Sequence, residues 1–213
     1  MKTLRMLVIG MVLAAAMQLA PAARATIVGS AHDFSTNSWN TRQSLCSVCH
    51  TIHGATAQLV PLWIHETTHS TFTPYTSSTL TATVGQPDGA ALACLSCHDG
   101  TVAINSYGGK TNGTPAFVTG NAVIGTDLSK THPVSFTFDS TLAAADTGLN
   151  DPAVKTVPSL GGKTIAQTLL RNGKVQCVSC HDPHKTIGYA PSSGIMLKIT
   201  TANGALCLTC HNK

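Results

Sequence analysis

Apolar positions are unevenly distributed along the 213-residue chain, and few stretches have the periodicity of a regular element. Residues 6–20 form a mostly apolar run that follows two basic residues. The run precedes Ala23-Arg24-Ala25, in which two small residues flank the arginine, as at a signal-peptide cleavage site. This order is typical of a signal peptide, and the run is too short to span a bilayer comfortably. We therefore expect residues 1–25 to be cleaved on export and residues 26–213 to form a single domain without a transmembrane segment.

The segment 99–176 has no helical period and is rich in Gly, Thr, Asn and Pro. Residues 134–138 alternate in polarity and predict a short strand, and residues 164–170 predict a helical turn or two before Asn172-Gly173. Glutamate occurs once, at Glu66, while Ser and Thr are abundant, so strong helix formers are scarce. The pattern excludes a regular helical bundle. It predicts a mostly irregular fold with short helices at the motifs described next and few short strands.

Composition narrows the functional classes. Charged residues make up 10% of the chain and hydrophobic residues 43%, which is too apolar for a disordered protein. The net charge of +4 comes from scattered Lys and Arg without a basic run, which excludes nucleic acid as an expected partner.

All eight cysteines fall into four C-x-x-C pairs, and a histidine follows each pair at once. The motifs, numbered 1 to 4 in chain order, are Cys46–His50, Cys94–His98, Cys177–His181 and Cys207–His211; their paired cysteines are Cys46 and Cys49, Cys94 and Cys97, Cys177 and Cys180, and Cys207 and Cys210. Positions i, i+3 and i+4 share one face of a helical turn, so two thiols can form thioethers to a haem while the histidine binds its iron. C-x-x-C-H is the attachment signal for c-type haem, and four motifs predict four haem c groups.

Two other uses of cysteine explain the pattern less well. A disulfide framework in an exported protein would not place a histidine after every pair. Zinc ribbons also contain C-x-x-C pairs, but they do not require these four histidines. We therefore prefer the haem interpretation.

The motifs alternate in character. Motifs 1 and 3 continue to a second histidine three residues further on, at His53 and His184, whereas motifs 2 and 4 share Leu after their first cysteine. The chain thus reads as a two-haem unit used twice, separated by the long spacer 99–176.

Each iron needs a sixth ligand or an open site. Only Met196 remains of the five methionines after residue 25, so histidine at all four irons is the economical interpretation and predicts low reduction potentials. His53 and His184 lie on the same side as the proximal histidine of their own motif, so each should serve a neighbouring haem. The candidates for the distal positions are His32, His53, His132 and His184, with His65 as the runner-up.

His65-Glu66-Thr67-Thr68-His69 also matches the H-E-x-x-H signature of zinc proteases. That chemistry requires both histidines on one face of a stable helix. Pro61 and Pro74 flank this β-branched stretch, so we interpret the match as a coincidence in a histidine-rich chain.

Strings between the motifs carry a resemblance. Cys46–His53 (CSVCHTIH), Pro61-Leu62-Trp63 and Cys94–Thr101 (CLSCHDGT), together with residues 75–78 and 132–134, resemble the tetrahaem outer-surface cytochromes of metal-reducing bacteria, of the outer-membrane cytochrome E type. The resemblance implies stacked haems with two histidine ligands, little regular secondary structure, and extracellular filaments in which one haem takes a histidine from the neighbouring subunit. Ile52 and Ile64 depart from the usual residues of such strings, and neither is an expected ligand.

These observations predict an electron carrier rather than an enzyme, located outside the cell or at its surface. The expected partners are copies of itself in a head-to-tail filament, other cytochromes and extracellular electron acceptors. A heterologous contact that does not close into a ring generates such a filament, and we expect His32 or His53 to donate across it. The alternatives are a monomeric periplasmic shuttle and a multihaem reductase with one open haem.

Carbon monoxide distinguishes the carrier from the reductase. If histidine occupies both axial positions of every iron, carbon monoxide added to the reduced protein leaves the Soret band unchanged. A large Soret change from one haem would contradict full histidine ligation.

Overall fold

The fold was analysed in a computed structural model, which describes residues 27–55, 59–184 and 196–212. The expected signal peptide lies outside these residues. Helices are short: α1 Gly89–His98, α2 Ser140–Ala145, α3 Ile165–Thr168, α4 Cys177–Cys180 and α5 Ala205–Cys210. Single 3-10 turns occupy Gly120–Ala122, Pro158–Leu160 and Ala202–Gly204. Within the described ranges, no helix has the length and apolar character needed to cross a membrane.

Among the described residues, four two-residue strands form two small antiparallel sheets. They are β1 Phe136–Thr137, β2 Thr156–Val157, β3 Lys163–Thr164 and β4 Lys174–Val175. β1 pairs with β4, and β2 pairs with β3. Asn172 and Gly173 both have positive φ, of 52° and 72°, and form the tight turn that leads into β4. Strand β1 falls inside residues 134–138, where the alternation of polar and apolar residues predicts a strand.

The spacer contains one helix that the lack of a helical period did not predict. In α2, three consecutive alanines follow a local start signal, because the Asp139 carboxylate accepts the Leu142 N–H at 2.8 Å. A capping residue before an alanine run is therefore the signal that would have predicted it. In α3, Thr164 and Gln167 cap each other reciprocally, so a four-residue helix can form.

The cysteines of three motifs lie in helices, and those of motif 1 do not. Motifs 2, 3 and 4 use α1, α4 and α5, but residues 46–50 form a single turn closed by the His50 N–H to the Cys46 carbonyl at 2.8 Å. The next residue turns away because the Thr51 N–H donates to the Leu62 carbonyl at 2.8 Å. The expectation of a helix at every motif is therefore wrong for motif 1.

The spacer also builds a protein core of its own. The buried side chains of this cluster are Phe136, Phe138, Ala143, Val157, Ile165, Leu169, Leu170, Val175 and Ile199. Partly buried Leu206 and Cys210 of α5 pack against it, so the core supports motif 4. A smaller cluster of Phe72, Leu95 and Leu128 supports α1. Two side-chain clusters thus position haem motifs along an otherwise irregular chain.

Replacement of Ile165 tests the spacer core, because its side chain is 0% exposed within it. We expect Ile165→Ala to lower the free energy of unfolding by about 2–5 kcal/mol, through lost burial and the cavity left behind. Val28, which is 62% exposed, is the matched control, and Val28→Ala should change stability by less than about 0.5 kcal/mol. Denaturant titration measures the change in the free energy of unfolding in each variant. Equally small changes in the free energy of unfolding in both variants would contradict a stabilising role for this core.

Candidate haem sites

Three of the four motif histidines share one backbone arrangement. In motifs 1, 3 and 4 the histidine forms an isolated antiparallel bridge to a segment outside the motif. The bridges pair His50 with Trp63, His181 with Leu197 and His211 with Leu149. In motif 2 the longer helix takes this role, and the His98 carbonyl accepts the Ile124 N–H at 2.6 Å. The histidine backbone is therefore fixed from two directions at every motif.

Hydrogen bonds at Nδ1 orient the imidazole rings. Nδ1 of His50 lies 2.9 Å from the Pro61 carbonyl oxygen, and Nδ1 of His98 lies 2.7 Å from that of Ala122. A carbonyl can only accept, so each Nδ1 carries the proton and each Nε2 keeps its lone pair. This tautomer presents Nε2 to a metal, and the bond to the carbonyl raises the basicity of the ligand. Sequence reasoning missed these two carbonyls, because a backbone group leaves no side-chain signature.

Three motif histidines face a second histidine at nearly the same separation. Ring centres lie 6.1 Å apart for His32 and His98, 6.0 Å for His50 and His184, and 6.4 Å for His132 and His211. A bond of about 2 Å from metal to nitrogen on each side, plus about 1 Å from that nitrogen to the ring centre, places two axial imidazoles about 6 Å apart. Each of the three spacings therefore fits one iron between the rings.

The environment of His32 is consistent with a ligand role. Burial, together with nearby His98 and His184, lowers its pKa to about 4, so the ring is neutral at pH 7. A neutral imidazole is the form that binds iron. His132 holds its own ring through Nδ1, which lies 2.9 Å from the Pro133 carbonyl oxygen.

The remaining candidates differ in exposure. His53 is exposed, and its backbone is held by Thr51, whose hydroxyl donates to the His53 carbonyl at 2.7 Å. His65 is 1% exposed, and its Nε2 lies 3.4 Å from the Cys97 sulfur. Residues 66–70 contain no helix, and His69 is exposed while His65 is buried. The pair His65 and His69 therefore lacks the helical face of a zinc protease.

The cysteines of successive motifs lie next to one another. A hydrogen bond between the Cys94 and Cys177 thiols, with burial, raises the pKa of Cys94 and links motif 2 to motif 3. Burial, with the Cys49 thiol nearby, raises the pKa of Cys97 to about 12 and marks the proximity of motifs 1 and 2.

Motifs 3 and 4 are adjacent in the same way. Burial, followed by the nearby thiols of Cys180 and Cys207, raises the pKa of Cys210 to about 11. Thiols of motifs 1 and 2, of motifs 2 and 3, and of motifs 3 and 4 therefore lie close enough to affect one another's pKa.

Three buried polar atoms of the described residues have no hydrogen-bond partner, and they gather around motifs 1 and 2. They are His32 Nδ1, Ser47 Oγ and Trp63 Nε1. Ser47 lies inside motif 1, and the Trp63 ring lies 6.2 Å from that of His50. A buried donor without an acceptor is costly, and haem propionates supply acceptors. The residues present therefore fit a haem in this region.

Comparison with known proteins supports the same chemistry. Residues 170–213, which contain motifs 3 and 4, match the family described as Doubled CXXCH motif. No curated protein matches the chain. The match supports the multihaem c-type cytochromes, and the motifs indicate covalently bound haem c with its iron. A bound haem supplies a reversible one-electron carrier, which is consistent with electron transfer. Proteins of this class are typically exported.

Replacement of His184 tests its pairing with His50. We expect His184→Ala to leave the haems attached, because the thioethers are unchanged, and to open one axial position. About a quarter of the reduced Soret absorbance should then respond to carbon monoxide if four haems are present. His69→Ala, which removes an exposed histidine, is the control and should show no response. A carbon monoxide response in the control, or none in His184→Ala, would reject the pairing.

Proposed function

We propose that this protein transfers electrons along four covalently bound c-type haems, each with two histidine ligands, and that it is a subunit of an extracellular filament. The observation that carries the proposal is the set of three histidine pairs, with ring centres 6.0 to 6.4 Å apart. An electron carrier needs both axial positions filled, whereas a reductase needs one open position for its substrate. The pairing of spare histidines with motif histidines therefore favours the carrier.

The order of the motifs supports conduction along the chain. Cysteines of motifs 1 and 2, of 2 and 3, and of 3 and 4 are neighbours. Since a haem is bonded to both cysteines of its motif, neighbouring cysteines keep the edges of successive macrocycles close. Electrons then pass from motif 1 to motif 4 through one protein chain.

The repeat of the two-haem unit indicates how copies join. His184 of the second unit lies beside His50 of the first unit. His53 occupies the same +3 position in the first unit. Its equivalent target is therefore the first motif of a preceding two-haem unit, which is motif 3 of another copy. His53 therefore completes the haem at His181 of a neighbouring copy. His32 has the His98 ring of its own chain beside it, which leaves His53 as the donor across the interface.

The surface around His53 suits an interface between copies. Ile52 is 80% exposed and Leu62 is 50% exposed, and both lie on the segments that join at motif 1. At the other end of the haem chain, Val154 and Leu208 of the motif 4 region are 72% and 46% exposed. These exposed apolar side chains could be buried in a contact between copies. A contact from motif 1 of one copy to the region of motifs 3 and 4 of the next generates an open filament.

His53→Ala tests the interface. We expect the haems to remain attached, filaments to disappear in electron micrographs, and one haem to bind carbon monoxide, since the sixth ligand and the intersubunit metal bond are lost together. His69→Ala is the matched control and should keep both filaments and closed haems.

Three results would point elsewhere. Filaments that persist in His53→Ala with every haem closed would overturn the donor role of His53. A carbon monoxide response in His65→Ala, with filaments intact, would place the missing ligand within the chain. A wild-type protein that elutes as a monomer and forms no filaments would instead indicate the periplasmic shuttle.

A further inference from the structure

The second and third motifs meet at a polar junction between two helices. Helix α1 carries motif 2 and is preceded by Asp88, and helix α4 carries motif 3 and is preceded by Gln176. The two helices pack together, and the Cys94 and Cys177 thiols lie close enough to shift each other's pKa. The relative position of these two motifs therefore depends on what holds the starts of α1 and α4.

Gln176 spans the junction with both ends of its amide group. Its Oε1 accepts the Ala91 N–H of α1 at 2.7 Å, and its Nε2 donates to Asp88 Oδ1 at 2.9 Å. Its own backbone N–H donates to Ser179 Oγ at 2.9 Å. The residue is 3% exposed, so its bonds to Ala91 and Ser179 are buried, and its bond to Asp88 is partly buried. A buried amide satisfied at both ends admits one orientation of α1 relative to α4.

Asp88 extends the junction into the spacer core. Its other carboxylate oxygen pairs with the Lys174 ammonium of β4, and its N–H donates to Ser135 Oγ at 2.9 Å. Burial alone would raise the pKa of the Asp88 carboxyl, but hydrogen bonds from Lys174 and Gln176 and the charge of Lys174 hold that pKa below its ordinary value. The carboxylate is thus charged at neutral pH and attracts both donors.

The backbone of α1 comes close to Gln176 at one position. Gly89, the first residue of α1, has a φ of +49°, and a side-chain carbon at this position would lie 3.6 Å from Gln176 Nε2. The positive φ favours glycine here. At 3.6 Å the added carbon would be in ordinary van der Waals contact, so the backbone conformation rather than the space beside Gln176 favours glycine.

We propose that Gln176 is a positioning residue for electron transfer, and that its amide fixes the separation and orientation of the haems on motifs 2 and 3. The inference rests on the proposed function in one respect, that both motifs carry haem. Gln176 acts by bonding α1 to α4, whose cysteines hold the two macrocycles, and so it sets the contact between neighbouring carriers.

Two substitutions and a compensating pair test this role in the haem-loaded full chain. Gln176→Ala removes the bonds of the Gln176 side chain to Ala91 and Asp88 and leaves the Asp88–Lys174 ion pair in place. Gln176→Glu keeps the acceptor for the Ala91 N–H but places a second carboxylate against Asp88, which repels it. In Asp88→Asn/Gln176→Glu, the new amide at position 88 can donate to the new carboxylate at position 176. The bond across the junction is then restored with its direction reversed.

The measurements are circular dichroism in the Soret region, which reports coupling between neighbouring haems, and a spectroscopic redox titration. We expect both single substitutions to weaken the Soret couplet and shift the potentials of two haems, and the compensating pair to recover the couplet. Gln167→Ala is the control, because Gln167 caps α3 through its own side chain but is exposed and outside every motif. It should lower thermal stability without changing the couplet.

The outcomes separate this inference from the proposed function. Mass spectrometry first counts the haems on each variant. A wild-type chain with fewer than four haems contradicts the proposed function. With four haems in place, an unchanged couplet in folded Gln176→Ala and Gln176→Glu overturns the positioning role. A change of equal size in Gln167→Ala, or no recovery in the compensating pair, would also overturn it.

Discussion

The arrangement of this chain depends on bringing two imidazole rings from distant segments to opposite sides of one small gap. His32 and His98, and likewise His50 and His184, are far apart in sequence, yet their ring centres lie about 6 Å apart. A haem with two axial histidines would convert each such pair into a covalent and coordinate cross-link. Loops that would otherwise cost entropy to close are then held by bonds rather than by a large apolar core.

The protein core is correspondingly small and local. One cluster gathers the spacer around Ile165 and supports the C-terminal motif, and another supports α1 through Leu95. Between these clusters, buried and partly buried polar side chains hold the elements together, as apolar packing does in larger cores. Gln176 joins two motif helices, and Asp88 joins them to β4 through Lys174. Directional bonds of this kind hold an orientation more narrowly than apolar packing does.

Local signals predicted the local features. Alternation predicted β1, and the residues before Asn172 predicted α3, because a short strand or a capped turn is decided by neighbours in sequence. The helix at Ser140–Ala145 carried a capping signal that the helical period, which needs a longer segment, could not register. Motif 1 departed from its expected helix because the chain after His50 pairs with residues 62–64. That competing partner is not visible in the motif itself.

The C-x-x-C-H motifs indicate covalently bound haem c from the sequence alone, because each motif lies within five residues and no tertiary contact is needed to recognise it. The sequence also supplied the pool of spare histidines. The tertiary structure alone decided which spare histidine faces which motif, that cysteines of successive motifs are neighbours, and that Gln176 links α1 to α4. These pairings span tens of residues and depend on how irregular segments close, and such closure has no periodic signature in the sequence.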